Sequence, residues 1–124
     1  MAKKILLVDD EADTATVFET ILKQAGYEVT LANNASDALS TVRTAPFDLI
    51  LMDQMMPEMS GNDALLLLKQ DEMTKNIPVA MLTNFSHDEL VNQALGRGAV
   101  EYILKYQISH EDLVNKVKGI LGDA

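Results

Sequence analysis

The sequence contains no cysteine, which excludes a disulfide scaffold, a thiol nucleophile and any zinc site built on thiolates, and fits a reducing cytoplasm. It also lacks a long apolar run. None approaches the roughly 18 residues that a membrane helix needs, and Met1-Ala2-Lys3-Lys4 leads into only Ile5 to Val8 before Asp9. Neither export nor a membrane span is expected. Positive charge is scarce: ten Lys plus Arg stand against nineteen Asp plus Glu, a formal charge of −9. Such a chain repels nucleic-acid phosphates and favours cations. What it does have is apolar residue, 48% of 124, enough for one core. A single domain over residues 1–124, with its core at about 4–121, is expected, with no output domain.

Short apolar runs at Ile5 to Val8, Leu49 to Met52, Val79 to Leu82 and Tyr102 to Leu104 suit strands buried on both faces. Tyr27 to Leu31 alternates instead and is expected at a sheet edge. Between the strands the period turns helical. Val17, Phe18, Ile21, Leu22 and Ala25 share one helix face, which Gly26 can end, and Ala35, Ala38, Leu39 and Val42 share the next. Ser86 with Glu89, and Ser109 with Asp112, have capping-box spacing ahead of two further apolar faces. Leu65 to Leu68 fits a helix between two strands. The tail, Gly122-Asp123-Ala124, reads as frayed. Alternating strand and helix order predicts an α/β fold, a parallel sheet with right-handed crossovers and helices on both faces.

Open parallel sheets bind ligands beyond the carboxyl ends of their strands. Here those positions carry Asp9-Asp10-Glu11, Asp53, Thr83-Asn84 and Lys105. Each alone is ordinary, since an Asp at a strand end commonly serves a turn or a helix cap. Together they are not, because two like charges near 4 Å repel by about 4 kcal/mol at an effective dielectric of 20. Lys105 supplies one compensating charge, and a hard divalent ion such as Mg²⁺ is the natural source of the rest.

These residues resemble the receiver domain of two-component response regulators, from Lys4 to about Leu121. The resemblance rests on Asp9-Asp10 after the first strand, Asp53 within Asp53-Gln54-Met55-Met56-Pro57-Glu58-Met59-Ser60-Gly61, Thr83 after Val79-Ala80-Met81-Leu82, and Tyr102-Ile103-Leu104-Lys105. It implies a flavodoxin-like, doubly wound (βα)5 fold with strand order 2-1-3-4-5. It implies Asp53 as phosphoacceptor and Asp10, Asp53 and the Met55 carbonyl as direct Mg²⁺ ligands, with Asp9 reaching the ion through water. Lys105 is implied as the phosphate-pairing cation, Thr83 as the hydroxyl that bonds the phosphoryl group, and Tyr102 as the aromatic that follows it.

The implied donor is a phosphohistidine on a histidine kinase or histidine phosphotransfer domain. The implied output is an altered contact with a downstream protein, made by a cytoplasmic monomer or weak dimer. No independent enzyme is expected beyond self-phosphorylation and slow dephosphorylation on Asp53. Four other readings stand beside this one, among them an Asp-dependent phosphatase, which would want an Asp-x-Asp pattern after the first strand where Asp9 and Asp10 are adjacent. A phosphorylation-independent adaptor would not need the full acid, Thr and Lys set, and a domain excised from a hybrid histidine kinase would use it equally. A flavin binder would place phosphate against acids, with no Gly-rich loop after the first strand to cradle it.

The family usually has Pro after the lysine, where this chain has Tyr106. A trans Lys105–Tyr106 bond is expected, because a non-proline cis bond costs about 3–4 kcal/mol. Asn84 stands where a small residue is common. Met52, Met55, Met56, Met59 and Met81 read as flexible filler, and His87 and His110 as surface residues. The resemblance places Met55 and Phe85 beside the path of a water attacking phosphorylated Asp53. Neither can activate that water.

Overall fold

The computed structural model describes residues 2–123. Five strands and five helices alternate: β1 (Lys4–Val8), α1 (Ala12–Gln24), β2 (Glu28–Ala32), α2 (Ala35–Thr41), β3 (Leu49–Met52), α3 (Gly61–Gln70), β4 (Val79–Thr83), α4 (Asp88–Gly96), β5 (Glu101–Leu104) and α5 (His110–Leu121). All strand pairs are parallel, in the order β2-β1-β3-β4-β5. The doubly wound order expected from the sequence is the order found, and β2 is indeed an edge.

Strand alternation divides the core into two layers. Ile5, Leu7, Leu49, Leu51, Ala80, Leu82 and Ile103 pack on α1 and α5 through Phe18, Ile21, Leu22, Leu113 and Val117. Leu6, Val8, Ile50, Met52, Val79 and Met81 face α2, α3 and α4 through Ala35, Ala38, Leu65, Leu68 and Ala94. Continuous apolar strands are therefore needed at β1, β3 and β4, where both faces are covered.

Three local expectations need correction. β5 is also an edge strand, and only Ile103 in it is fully buried, because nothing pairs beyond it. Ser86 does not cap α4: His87 takes the N-cap position without a side-chain bond, and Asp88 and Glu89 supply favourable charge to the first turn instead. Ser109 does cap α5, accepting from the Asp112 N–H at 3.0 Å. Nor is the tail frayed through Asp123. Its carboxylate accepts from the Tyr27 hydroxyl at 2.9 Å and pairs with Lys3 at 2.9 Å, after Gly122 turns the chain in the left-handed region at φ 72°. Ala124 lies outside the described residues.

Gly61 is fixed by space. Its N–H donates to the Gln54 carbonyl at 2.8 Å, and a Cβ there would overlap the Asp53 carbonyl oxygen and lie 2.7 Å from Met81 Cε. Helix α3 thus begins directly against the backbone of Asp53.

Two predictions follow from these contacts. Gly61→Ala should lower stability by about 1–3 kcal/mol through overpacking, whereas Gly119→Ala, in α5 with nothing within 4 Å of a new Cβ, should raise it by about 0.5–1 kcal/mol; urea denaturation of both variants checks this. The second concerns alkali. Burial first, and then Asp123, push the Tyr27 hydroxyl from 10.0 to about 12. A raised folded-state value means that this contribution to stability is complete below pH 10 and is lost as pH rises through about 12. Melting curves across that window should show a smaller fall for Tyr27→Phe than for the parent.

Candidate functional site

The site lies at the carboxyl ends of β1, β3, β4 and β5, and its backbone is held by rungs that continue past the strands. Asp9 N–H donates to the Ala32 carbonyl at 3.0 Å, Asp53 N–H to Val8 at 2.9 Å, and Lys105 N–H to Thr83 at 2.9 Å. Thr83 is itself the last residue of β4. The side chains of Asp9, Asp53, Thr83 and Lys105 therefore leave from sheet geometry rather than from free loops.

The sequence-predicted residues converge. Carboxylate oxygens of Asp9, Asp10 and Asp53 lie within 4.8 Å of one another. Lys105 sits between two of them, with Nζ 2.6 Å from Asp9 Oδ2 and 3.4 Å from Asp53 Oδ2. Asp9, Asp53, Thr83 and Lys105 are all buried, whereas Asp10 is exposed. The remaining Asp9 oxygen accepts from the Glu11 N–H at 2.9 Å, and Asp53 Oδ1 accepts from the Gln54 N–H at 2.8 Å.

Burial, partly opposed by the Lys105 ammonium and reinforced by the Asp9 charge, raises the pKa of Asp53 above the ordinary carboxylate value; the Thr83 hydroxyl and the Gln54 N–H pull the other way. Three carboxylates thus cluster around a single ammonium that pairs with only two of them, Asp9 and Asp53. That excess of hard oxygen donors over positive charge suits a divalent cation of the Mg²⁺ kind.

Tyr102 packs half-buried against the core, and its hydroxyl donates to the Phe85 carbonyl at 2.6 Å. Burial raises its pKa, the Gln54 side chain lowers it and the Asp53 charge raises it further. Tyr102 is thereby tied to the loop that follows Thr83, whose own hydroxyl accepts a long bond of 3.4 Å from the Phe85 N–H.

Met55 and Phe85 are exposed, 52% and 38%. Met52 and Met81 are buried, and Met56 and Met59 pack against the core, so the filler reading fits four methionines and not Met55. His87 and His110 are exposed. No peptide bond is cis among the described residues, so Lys105–Tyr106 is trans as expected. The Asn84 Oδ1 is buried without a partner among the described residues, in a cleft shared with Asp13, Thr14, Lys105 and Tyr106.

Three buried polar residues escaped the sequence reading, Gln54, Asn62 and Thr74. The period of α3 held a signal for one of them, since Asn62 lies three positions before buried Leu65. Glu58 adopts φ 70° without being Gly or Asn, a conformation that costs roughly 1–2 kcal/mol in other side chains and that no sequence cue announced.

The response regulator receiver domain family model matches residues 5–118. The chain is 39% identical over 121 residues to the phosphate regulon transcriptional regulatory protein PhoB of Pseudomonas aeruginosa, spanning 98% of this chain and 52% of that one. It is 40% identical over 101 residues to the transcriptional regulatory protein ZraR of Escherichia coli, 82% of this chain and 22% of that one. The chain thus spans about half or less of the length of these relatives.

Among solved structures, the chemotaxis protein CheY4 of Vibrio cholerae superposes with a TM-score of 0.90 at 29% identity, over 98% of this chain and 100% of that one. A putative response regulator from Chloroflexus aurantiacus gives 0.92 at 30% identity, over 98% and 99%. With the fold, the acid cluster and the lysine already in place, these similarities establish that the chain belongs to the response regulator receiver domain family of two-component signalling.

Proposed function

We propose that this receiver accepts a phosphoryl group on Asp53 from a phosphohistidine of a histidine kinase or histidine phosphotransfer domain, in the cytoplasm, and passes the signal to a downstream protein by changed contacts. The observation that supports this most directly is the buried Lys105 ammonium between Asp9 and Asp53. It opposes the burial that raises the Asp53 pKa, and it stands in a position to take a further anion.

The chemistry is a displacement at phosphorus. A bond forms from an Asp53 carboxylate oxygen to phosphorus as the phosphorus–nitrogen bond of the phosphohistidine breaks, and the imidazole leaves with the electron pair. Both reactants are anionic, so the attack requires fixed positive charge. Lys105 supplies one such charge, and as the phosphoryl oxygens arrive it can exchange its Asp9 partner for one of them. The Gln54 N–H fixes the orientation of the Asp53 carboxylate. Thr83, at the end of β4, can donate its hydroxyl to a phosphoryl oxygen.

Asp10, Asp53 and the Met55 carbonyl, with Asp9 in support, are the groups that would hold Mg²⁺, whose contribution when bound is charge neutralisation at the reacting oxygens. Movement of Thr83 toward the phosphoryl group would draw on the loop carrying Phe85. Because the Tyr102 hydroxyl is bonded to the Phe85 carbonyl, the ring would be drawn along with it, and the α4 surface would repack.

Intact-mass measurement with acetyl phosphate should show one added phosphoryl group only when Mg²⁺ is present, and none in Asp53→Ala; persistent labelling of that variant would refute the assignment. Mg²⁺ titration of Asp10→Asn should show clearly weaker binding, and an unchanged affinity would remove Asp10 from direct contact. Self-dephosphorylation should be slow, because the exposed side chains Met55 and Phe85 can neither orient nor activate a water. Decay after donor removal should quicken in Met55→Asn combined with Phe85→Ala; if it does not, the steric explanation fails.

A further inference from the structure

Helix α4 has little apolar attachment. Ala94 is its one buried residue, Leu95 is 48% exposed, and its N-cap makes no side-chain bond. What holds it is a polar node on α3. Asn62, 1% exposed, donates through Nδ2 to the Leu90 carbonyl at 3.1 Å and to Gln93 Oε1 at 2.8 Å. Its carbonyl accepts from Arg97 Nη1 at 2.9 Å, and the same nitrogen meets Asp63 Oδ1 at 3.1 Å. One residue therefore contacts the first turn, the middle and the C-cap of α4.

The node continues inward. The Asn62 N–H donates to Gln54 Oε1 at 2.8 Å, and the Gln54 N–H donates to Asp53 Oδ1 at 2.8 Å. Gln54 is fully buried, and its Nε2 has no hydrogen-bond partner among the described residues, although its side chain lies close enough to Tyr102 to lower the pKa of that hydroxyl. Buried amides in such a chain are costly when half satisfied and strongly orienting when bonded. Hydrogen bonds joined through the covalent frames of Gln54 and Asn62 thus link the Asp53 carboxylate to α4 along a route separate from Thr83.

We propose that Asn62 is a positioning residue that couples Asp53 to α4, setting the helix by hydrogen bonds where its apolar contacts are too few to do so. This rests on Asp53 being the phosphoacceptor. Conversion of the carboxylate to an acyl phosphate removes charge from its free oxygen, so the bond from the Gln54 N–H weakens. Gln54 can then shift, and because its side chain carries the Asn62 backbone, the shift is delivered to Leu90, Gln93 and Arg97 together.

The experiment is amide hydrogen exchange on the full chain and on Asn62→Leu, each with and without acetyl phosphate and Mg²⁺, with intact mass recording phosphoryl uptake separately. In the unphosphorylated variant, amides from Val91 to Ala94 should exchange about tenfold faster, the effect of losing roughly one net hydrogen bond, while β1 and β3 stay unchanged. Phosphoryl uptake should persist in the variant, but the exchange change that phosphorylation produces in α4 of the parent should be lost. Gln93→Leu, at an exposed position, should reproduce part of the effect and decides the matter if Asn62→Leu does not fold. Unchanged α4 exchange in the variants, equal acceleration throughout the sheet, or an α4 response to phosphorylation identical to the parent's overturns the proposal. Absent phosphoryl uptake in the parent instead counts against Asp53 as acceptor, and the unphosphorylated comparison still decides whether Asn62 anchors the helix.

Discussion

The contact on which the site depends is the Lys105 ammonium, buried between Asp9 and Asp53. Two carboxylates at neighbouring strand ends, both out of water, would repel each other and take up protons unless a cation were placed among them. The sheet order provides the means. β1 and β3 are adjacent, which brings Asp9 and Asp53 together, and β5 lies beyond β4, which gives a long side chain just the span to reach back. Removing one partner from such a group leaves an uncompensated buried charge, typically a loss of about 3–5 kcal/mol. The lysine is therefore as much part of the fold as of the chemistry.

The two layers of the molecule differ in how they are fastened. On one side α1 and α5 press large apolar side chains onto the sheet: Phe18, Ile21, Leu22, Leu113 and Val117. On the other, α4 contributes chiefly Ala94 and is held by the amide of Asn62 and the guanidinium of Arg97. Apolar contact tolerates small slips, but hydrogen bonds have direction and are either made or broken. A helix secured by the second kind of contact suits a part that must occupy one of two positions.

The fold was legible because the strongest signals were periodic. Runs buried on both faces located β1, β3 and β4, and the alternation at Tyr27 to Leu31 correctly marked an edge. β5 was misjudged because a run of three apolar residues reads the same whether a neighbour covers both sides or only one. The site was legible for a related reason: strand ends fix where side chains emerge, so Asp9, Asp10, Asp53, Thr83 and Lys105 could be brought together from topology. Gln54, Asn62 and the left-handed Glu58 could not. Their environment is set by contacts between α3, α4 and the loop after β3, and such contacts leave almost no periodic trace.

The rungs that pin Asp9, Asp53 and Lys105 one step beyond their strands have a thermal consequence. These side chains belong to the same cooperative unit as the central sheet, so they cannot melt ahead of it, as groups on a mobile lid could. Heating should therefore leave the acid and lysine cluster intact up to the transition of the whole domain and disperse it there in a single step. The geometry of the cluster is thus settled when the sheet folds.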